Sequence, residues 1–166
     1  MIKLEYPFVL NKFSQIIPRM ADPNLLETRP HHTLRVLGWG ALRQGGNTQR
    51  ILNFADLPYV DLKSCKKAMW PLDIYDSMIC AGDLKKGGVD ACQGDPGGPL
   101  VYKDAEGHHV LAGLVSWGVG CGRPGYAGVY TNVASYKEWI DNHIKDQVKW
   151  TIIVNQLKFI FVYISQ

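Results

Sequence analysis

The sequence predicts an all-β domain, because short apolar segments alternate with glycine-rich turns along most of its length. The 17 glycines among 166 residues suit turns that need a positive φ and places where two backbones approach closely. A hydrophobic content of 46% and a charged content of 20% are typical of one folded domain of this length. Short strands at this spacing favour a barrel or a sandwich, and the sequence contains no internal repeat.

The first part of the chain is expected to hold a strand end, a linker and a hairpin. Residues 1–13 are apolar enough for the end of a strand. Residues 34–40 (LRVLGWG) predict a strand, and a second one is expected from Arg50 (RILNFADLPYVD) after the turn-rich QGGNTQ. Between them, a segment with little periodicity is interrupted by prolines, as is typical of a surface linker: Pro18, Pro23 and Pro30.

The rest of the domain is expected to hold four more strands between two short helices. Residues 61–69 predict the first helix, with Asp61 as its N-cap and with Leu62 and Cys65 on one face. Strands are then expected within SMICAGD, PLVYKD, HHVLAGLVSWG and GVYTNVA.

A terminal helix is expected from Ser135 to about Lys145. Ser135 is a suitable N-cap, and Glu138, three residues later, would complete a capping box. The apolar residues of this helix are predicted to face the body of the domain: Trp139, Ile140 and Ile144.

Residues 148–166 form an apolar tail whose composition differs from that of the preceding chain. Its apolar run is shorter than the ~20 residues that cross a bilayer and contains Asn155 and Lys158, so a membrane span is not expected. A tail without a native role is one interpretation, and FIFVYIS would favour aggregation if exposed. The other interpretation is an amphipathic segment that packs on an apolar surface through residues at helical spacing: Trp150, Ile153, Val154, Leu157, Phe161 and Ile164.

Charge and cysteine content restrict the class of protein further. The net charge of +3 is spread without a basic run, so a nucleic-acid partner is not expected. Two disulfides are expected rather than a metal ion or another cofactor, which indicates an oxidising compartment. Glu5 interrupts what would be the apolar stretch of a signal peptide, so the chain is expected to be a fragment. The four cysteines allow three pairings and include no C-x-x-C metal pair: Cys65, Cys80, Cys92 and Cys121.

Several motifs, in their order and spacing, resemble the trypsin-like serine proteases. They are DACQGDPGGPLV at 90–101, VSWGVGCG at 115–122, GVYTNV at 128–133 and GWG at 38–40. The resemblance corresponds to the C-terminal half of the two-barrel domain of that family. It implies a six-stranded Greek-key β-barrel followed by an α-helix.

The resemblance also implies a division of the chain into four parts. Residues 1–33 would be the end of a first-barrel strand and the inter-barrel linker. Residues 34–134 would be the second barrel with its specificity pocket, residues 135–147 the C-terminal helix and residues 148–166 the atypical tail.

The position that carries the nucleophilic serine in this family is occupied by proline. The family motif is GDSGGP, and here GDPGGP places Pro96 at the nucleophile, Gly94 at the oxyanion hole and Asp95 at the aspartate that receives a free amino terminus. Proline has neither a hydroxyl group nor a backbone N–H, so it can neither attack an acyl carbon nor stabilise an oxyanion. The resemblance therefore implies a chain that does not hydrolyse peptide bonds.

The partners of the nucleophile are not recognisable either. The family's aspartate would fall before Met1, and its histidine lies in an AAHC motif. None of the five histidines occurs in that context: His31, His32, His108, His109 and His143.

The residues of a substrate-binding pocket are nevertheless present. By resemblance, Asp90 lies at the base of a pocket for a Lys or Arg side chain, and Gly118 and Gly128 line its walls. The strand with Ser116, Trp117 and Gly118 would pair with the substrate backbone. The family's disulfides would join Cys65 to Cys80 and Cys92 to Cys121.

Two functional hypotheses of different kinds follow, and a purely structural domain is a weaker third. In the first, the chain is part of a secreted endopeptidase whose relatives cleave after Lys or Arg, and it is inactive with Pro96. In the second, it is a non-catalytic homologue that binds a protein partner or inhibitor through the vestigial substrate-binding cleft. The apolar face left by the missing first barrel would also favour self-association, with the tail covering part of it.

Overall fold

The computed structural model describes residues 2, 4, 6–28 and 32–148, and the predicted tail lies outside them from residue 149 onwards. Six strands form a closed antiparallel barrel in the order β1-β2-β3-β6-β5-β4, which confirms the all-β prediction and decides for a barrel against a sandwich. The strands are β1 (Thr33–Gly38), β2 (Asn53–Val60), β3 (Met78–Ala81), β4 (Pro99–Lys103), β5 (His109–Trp117) and β6 (Gly128–Asn132). The helices are α1 (Leu62–Met69), a 3-10 turn (Val133–Tyr136) and α2 (Lys137–Val148).

The alternation of side chains along the strands fills the barrel interior. On β1, Leu34 and Val36 are buried, whereas Arg35 between them lies outside and binds Asp56 of β2 at 2.7 Å. Inward-facing residues of the other strands complete one core, as expected where a small closed barrel is filled by its own side chains. The core residues of the remaining strands include Leu57, Ile79, Leu100, Ala112 and Tyr130.

The first helix begins where the sequence predicts. The Asp61 side chain accepts a hydrogen bond from the Ser64 N–H at 2.9 Å, and Glu27 Oε1 accepts one from the Leu62 N–H at 2.8 Å. These bonds satisfy amide groups that have no partner inside the first turn of a helix. Cys65 and Met69 are buried, and Leu62 packs against the same core cluster.

The start of the second helix was predicted wrongly. The chain first forms the 3-10 turn, in which the Asn132 side chain accepts a hydrogen bond from the Ala134 N–H at 3.2 Å. The α-helix begins only at Lys137, so Ser135 is not its N-cap. Ile140 packs against the barrel as expected, but Trp139 remains 49% exposed and contacts the ring of His143 instead.

The strand end expected over residues 1–13 is also absent from the part of it that the structure describes. Residues 6–13 contain no strand, and only an isolated bridge joins Asn11 to Ser14. A β-strand needs a partner strand to satisfy its backbone groups, and no described strand runs beside this segment.

Both disulfides implied by the resemblance are formed. Cys65–Cys80 joins α1 to β3, and Cys92–Cys121 joins the two loops that follow β3 and β5. Loops of this size are stabilised by roughly 3 to 4 kcal/mol per disulfide in the chain-entropy account. Among the residues that the structure describes, no helix has the length and apolar character needed to cross a membrane.

Candidate functional site

A small cavity lies where the loop before β4 meets the end of β5 and the start of β6. Its volume is about 160 Å³, below the roughly 300 Å³ at which ordinary small-molecule pockets begin, so it has the size of one side chain. The structure brings together in its lining most of the residues singled out in the sequence: Asp90, Pro96, Ser116, Trp117, Gly118, Gly128 and the Cys92–Cys121 disulfide.

The Asp90 carboxylate is half-buried in this cavity and held by two backbone amides. Asp90 Oδ1 accepts a hydrogen bond from the Ala91 N–H at 2.8 Å, and Oδ2 accepts one from the Gly122 N–H at 3.1 Å. Burial raises the pKa of Asp90, and the two N–H groups oppose that rise. Within the described part of the chain, no Lys, Arg or His side chain forms an ion pair with Asp90.

The two glycines of the cavity wall have different structural roles. A Cβ atom on residue 128 would lie 2.5 Å from Asp90 Oδ1 and 3.2 Å from the Tyr130 hydroxyl, so this position requires glycine. A Cβ atom on residue 118 would make ordinary contacts, 3.9 Å from Gly128 Cα. Gly128 therefore makes room for the carboxylate, and Gly118 keeps the space between the walls open.

Tyr130 belongs to the site and was not identified from the sequence. Its side chain is buried, lines the cavity and forms no hydrogen bond through its hydroxyl among the described residues. Burial and then the negative charges of Asp90 and Asp95 raise the pKa of Tyr130, so the phenol stays protonated and can donate. The sequence signal that could have identified Tyr130 is its position two residues after Gly128, which places both residues on the same face of β6.

A β-bulge occurs at Ser116, an exposed residue at the edge of the cavity. In the pairing of β5 with β6, Val115 lies opposite Tyr130 and Trp117 lies opposite Val129, so Ser116 is an extra residue. A bulge of this kind turns the side chain of the extra residue away from the regular alternation. The backbone groups of Gly118, just beyond β5, form no backbone hydrogen bond within the described residues, which leaves them available to an added strand.

Asp95 points away from the cavity and stabilises the loop that bears Pro96. Its carboxylate accepts hydrogen bonds from the Gly40 N–H at 2.8 Å and from the Cys92 N–H at 2.9 Å. A Cβ atom on Gly38 or on Gly40 would overlap this carboxylate, which explains both glycines of the GWG motif. Asp95 thus links β1 to the disulfide-bonded loop.

The backbone around Gly94 exposes one amide next to Pro96. The Gln93 carbonyl accepts a hydrogen bond from the Ala41 N–H at 2.8 Å. In a trans peptide the C=O and N–H point in opposite directions, so the Gly94 N–H points away from Ala41. Gly94 has φ of 99°, a conformation suited to glycine. Pro96 itself has no N–H, because its ring carbon Cδ takes the place of the amide hydrogen.

The histidines lie elsewhere. None of the four described ones lines the cavity: His32 packs against Tyr102, His108 lies near Asp104, His109 begins β5 and His143 contacts Trp139. His31 is outside the described residues. No group of three or more His, Cys, Asp or Glu side chains in the described ranges is arranged to hold a metal ion.

A closed six-stranded barrel with a carboxylate in a pocket the size of a side chain, beside a GDPGGP loop, is the architecture of a chymotrypsin-fold protease barrel. Comparison with protein families agrees, since the model of the trypsin family matches residues 1–140. The chain therefore belongs to the trypsin family.

Several relatives share about half of their aligned residues with this chain. Trypsin-1 of Astacus astacus is 50% identical over 105 residues, which cover 63% of this chain and 44% of that protein. Vitellin-degrading protease of Bombyx mori is 46% identical over 110 residues, which cover 66% of this chain and 39% of that protein. Transmembrane protease serine 9 of Rattus norvegicus is 44% identical over 121 residues, covering 72% and 11%. The chain spans less than half the length of each of these relatives.

Proposed function

We propose that this chain is a non-hydrolytic member of the trypsin family that binds a Lys or Arg side chain of a protein partner or inhibitor. The observation that carries the proposal is the half-buried Asp90 carboxylate, which has no cationic partner among the described residues. A buried carboxylate is costly unless it is paired with a cation. A cavity of about 160 Å³ admits one extended cationic side chain and little more.

Hydrolysis is excluded in this proposal by the chemistry of Pro96. Its side chain offers no nucleophile, and its Cδ projects about 1.5 Å from the nitrogen, where an amide hydrogen would otherwise donate. A ligand carbonyl oxygen cannot come within hydrogen-bond distance of that nitrogen. Only the Gly94 N–H can donate to it, and the loss of one such donor alone lowers rates by about 100- to 1000-fold.

The relatives, the backbone of Gly118 and the disulfides support a class of partner and a location for this protein. The relatives named above are trypsins and proteases, which supports a protein or peptide as the molecule that enters the cleft. The free backbone groups of Gly118 support strand pairing with that partner. An extracellular location is part of the proposal, and the two disulfides support it because disulfides persist in oxidising compartments.

Titration calorimetry with benzamidine, a flat cation that mimics an arginine side chain, tests the proposal. We expect saturable binding at one site per chain and its loss in Asp90→Ala. Asp73→Ala is the matched control, because Asp73 is an exposed aspartate that does not line the cavity. Wild-type protein without a saturable signal, or equal binding by Asp90→Ala, would overturn the proposal. Cleavage of an arginyl substrate by the purified wild type would overturn its non-hydrolytic part.

Self-association is a second candidate interaction, supported by a different surface. Tyr6 and Val9 are 77% and 83% exposed, and Phe8 lies between them. Contiguous exposed apolar side chains of this kind favour association. Sedimentation velocity over a hundredfold range of concentration should then detect a dimer that Val9→Asp weakens. A monomer at all concentrations would contradict this interaction.

A further inference from the structure

A second cavity lies apart from the Asp90 pocket and shares no lining residue with it. It is an open groove of about 690 Å³ between residues 10–21 and the start of α2. Its apolar lining includes Leu10, Ile16, Ile17 and Met20, and Lys137 lies at its edge. We refer to it as the linker groove.

The charges at the edge of the linker groove are already paired. Arg19 binds Asp141 at 2.9 Å, and Lys137 binds the same carboxylate. These three side chains keep one net positive charge at the edge, and most of the groove lining is apolar. Its occupant is therefore expected to be apolar and to need little charge of its own.

Residues 149–166 of the same chain have this composition. Lys149 and Lys158 are their only charged residues. Six of their apolar residues recur at helical spacing, so one face of a helix would collect them: Trp150, Ile153, Val154, Leu157, Phe161 and Ile164. We propose that residues 149–166 bind in the linker groove of their own molecule through this apolar face.

The length of the chain permits this return. Helix α2 begins at Lys137, at the edge of the groove, and its 12 residues carry the chain about 18 Å away. Residues 149–166 can span up to roughly 60 Å when extended, which exceeds the ~18 Å back to the groove, so the chain is long enough to reach it. A tethered segment has an effective concentration near the millimolar range, which favours it over a second copy at micromolar concentration.

Amine-specific cross-linking followed by mass spectrometry tests the location. Lys158 is adjacent to Leu157 on the proposed binding face, and Lys137 lies at the groove. We expect a link between Lys137 and Lys158 in the monomer fraction. A link that occurs only in the dimer fraction would overturn the proposal. So would the absence of a link when the reagent has reacted with both Lys137 and Lys158, since both amines are then accessible.

Hydrogen exchange on full-length variants provides the second test. Leu157→Asp places a charge on the proposed binding face, and Asn155→Asp adds the same charge on the opposite face of such a helix. We expect amide exchange in residues 10–21 to be at least about tenfold faster in Leu157→Asp, a loss of about 1.4 kcal/mol of protection, and unchanged in Asn155→Asp. Equal exchange in both variants and the wild type would overturn the proposal. A cooperative thermal transition in each variant shows that the barrel has remained folded.

Discussion

A Cβ atom on residue 128 would lie 2.5 Å from Asp90 Oδ1, so the carboxylate keeps its position only because residue 128 is glycine. Gly128→Ala is therefore expected to lower the free energy of unfolding by about 1–3 kcal/mol, the usual cost of overpacking. In an Asp90→Ala background the same substitution should cost less, because the nearest atom is gone. Urea denaturation of the four proteins measures both costs. The same cost in both backgrounds would show that the carboxylate is not the constraint.

The raised pKa of Asp90 predicts a pH dependence of ligand binding. In the proposed pocket benzamidine would bind the ionised carboxylate, so its affinity should be constant above the pKa of Asp90 and fall about tenfold per pH unit below it. Because burial raises that pKa, the fall should begin at a higher pH than for an exposed aspartate, whose pKa is about 3.9. Calorimetry at a series of pH values checks this. An affinity for benzamidine that remains constant down to a pH of about 3.9 would contradict this prediction.

The same shift has a consequence for the unliganded fold. Since the folded-state pKa of Asp90 lies above its unfolded value, its contribution to stability is fully present below the unfolded pKa. That contribution is lost as the pH rises through the folded pKa. A bound cation should offset the loss, so benzamidine should raise the melting temperature more at neutral than at acidic pH. Equal shifts at both pH values would argue against an ionised Asp90 as the ligand.

Replacement of Pro96 tests the side-chain pocket separately from the backbone N–H that proline lacks. Pro96→Ala restores a backbone N–H next to Gly94 without adding a nucleophile. A peptide with an internal arginine, whose carbonyl would reach this amide, should bind about 5- to 10-fold more tightly, the value of one hydrogen bond. Benzamidine has no carbonyl group and should bind unchanged. Calorimetry with both ligands makes the comparison, and an equal gain for both would refute this account of Pro96.

Asp95 is predicted to matter for stability and, indirectly, for binding. Asp95→Ala leaves the N–H groups of Gly40 and Cys92 without their partner, which should cost at least about 2 kcal/mol. Asp22→Ala is the control, since Asp22 accepts one hydrogen bond from an exposed amide and its loss should cost less than about 1 kcal/mol. Because Cys92 lines the cavity, benzamidine should also bind Asp95→Ala more weakly. Equal unfolding free energies for the two variants would be inconsistent with this role.

The sequence predicted correctly the features that depend on contacts between near neighbours in the chain, and it failed where a feature depends on residues far apart in the chain. The cap of α1 depends on Asp61 and an amide three residues away, so the local pattern was sufficient. The 3-10 turn that precedes α2 is capped by Asn132, whose side chain also donates to the Pro23 carbonyl, 109 residues earlier in the chain. A local capping box at Ser135 could not reveal that contact, and the helix begins two residues later than predicted.

The site was predictable to the extent that its motifs carry charge, proline or glycine. Asp90, Pro96 and Gly128 are distinctive residues at distinctive spacings, and the structure brings all three to one cavity. Tyr130 was missed because a tyrosine on a strand is ordinarily a core residue, and only the closed barrel places its hydroxyl beside Asp90. The strand end over residues 1–13 was wrong in its described part because a strand depends on a neighbour that sequence alone does not supply.

The most direct measurement of the central claim is the carbon-13 chemical shift of the Asp90 carboxyl group during titration with benzamidine, assigned by its absence in Asp90→Asn. If a cationic side chain binds at Asp90, its positive charge favours the ionised carboxylate. The account predicts that the pKa of Asp90 measured from this resonance falls when benzamidine saturates the protein. A resonance and a pKa that do not change at saturating benzamidine would contradict the claim that the pocket binds a Lys or Arg side chain.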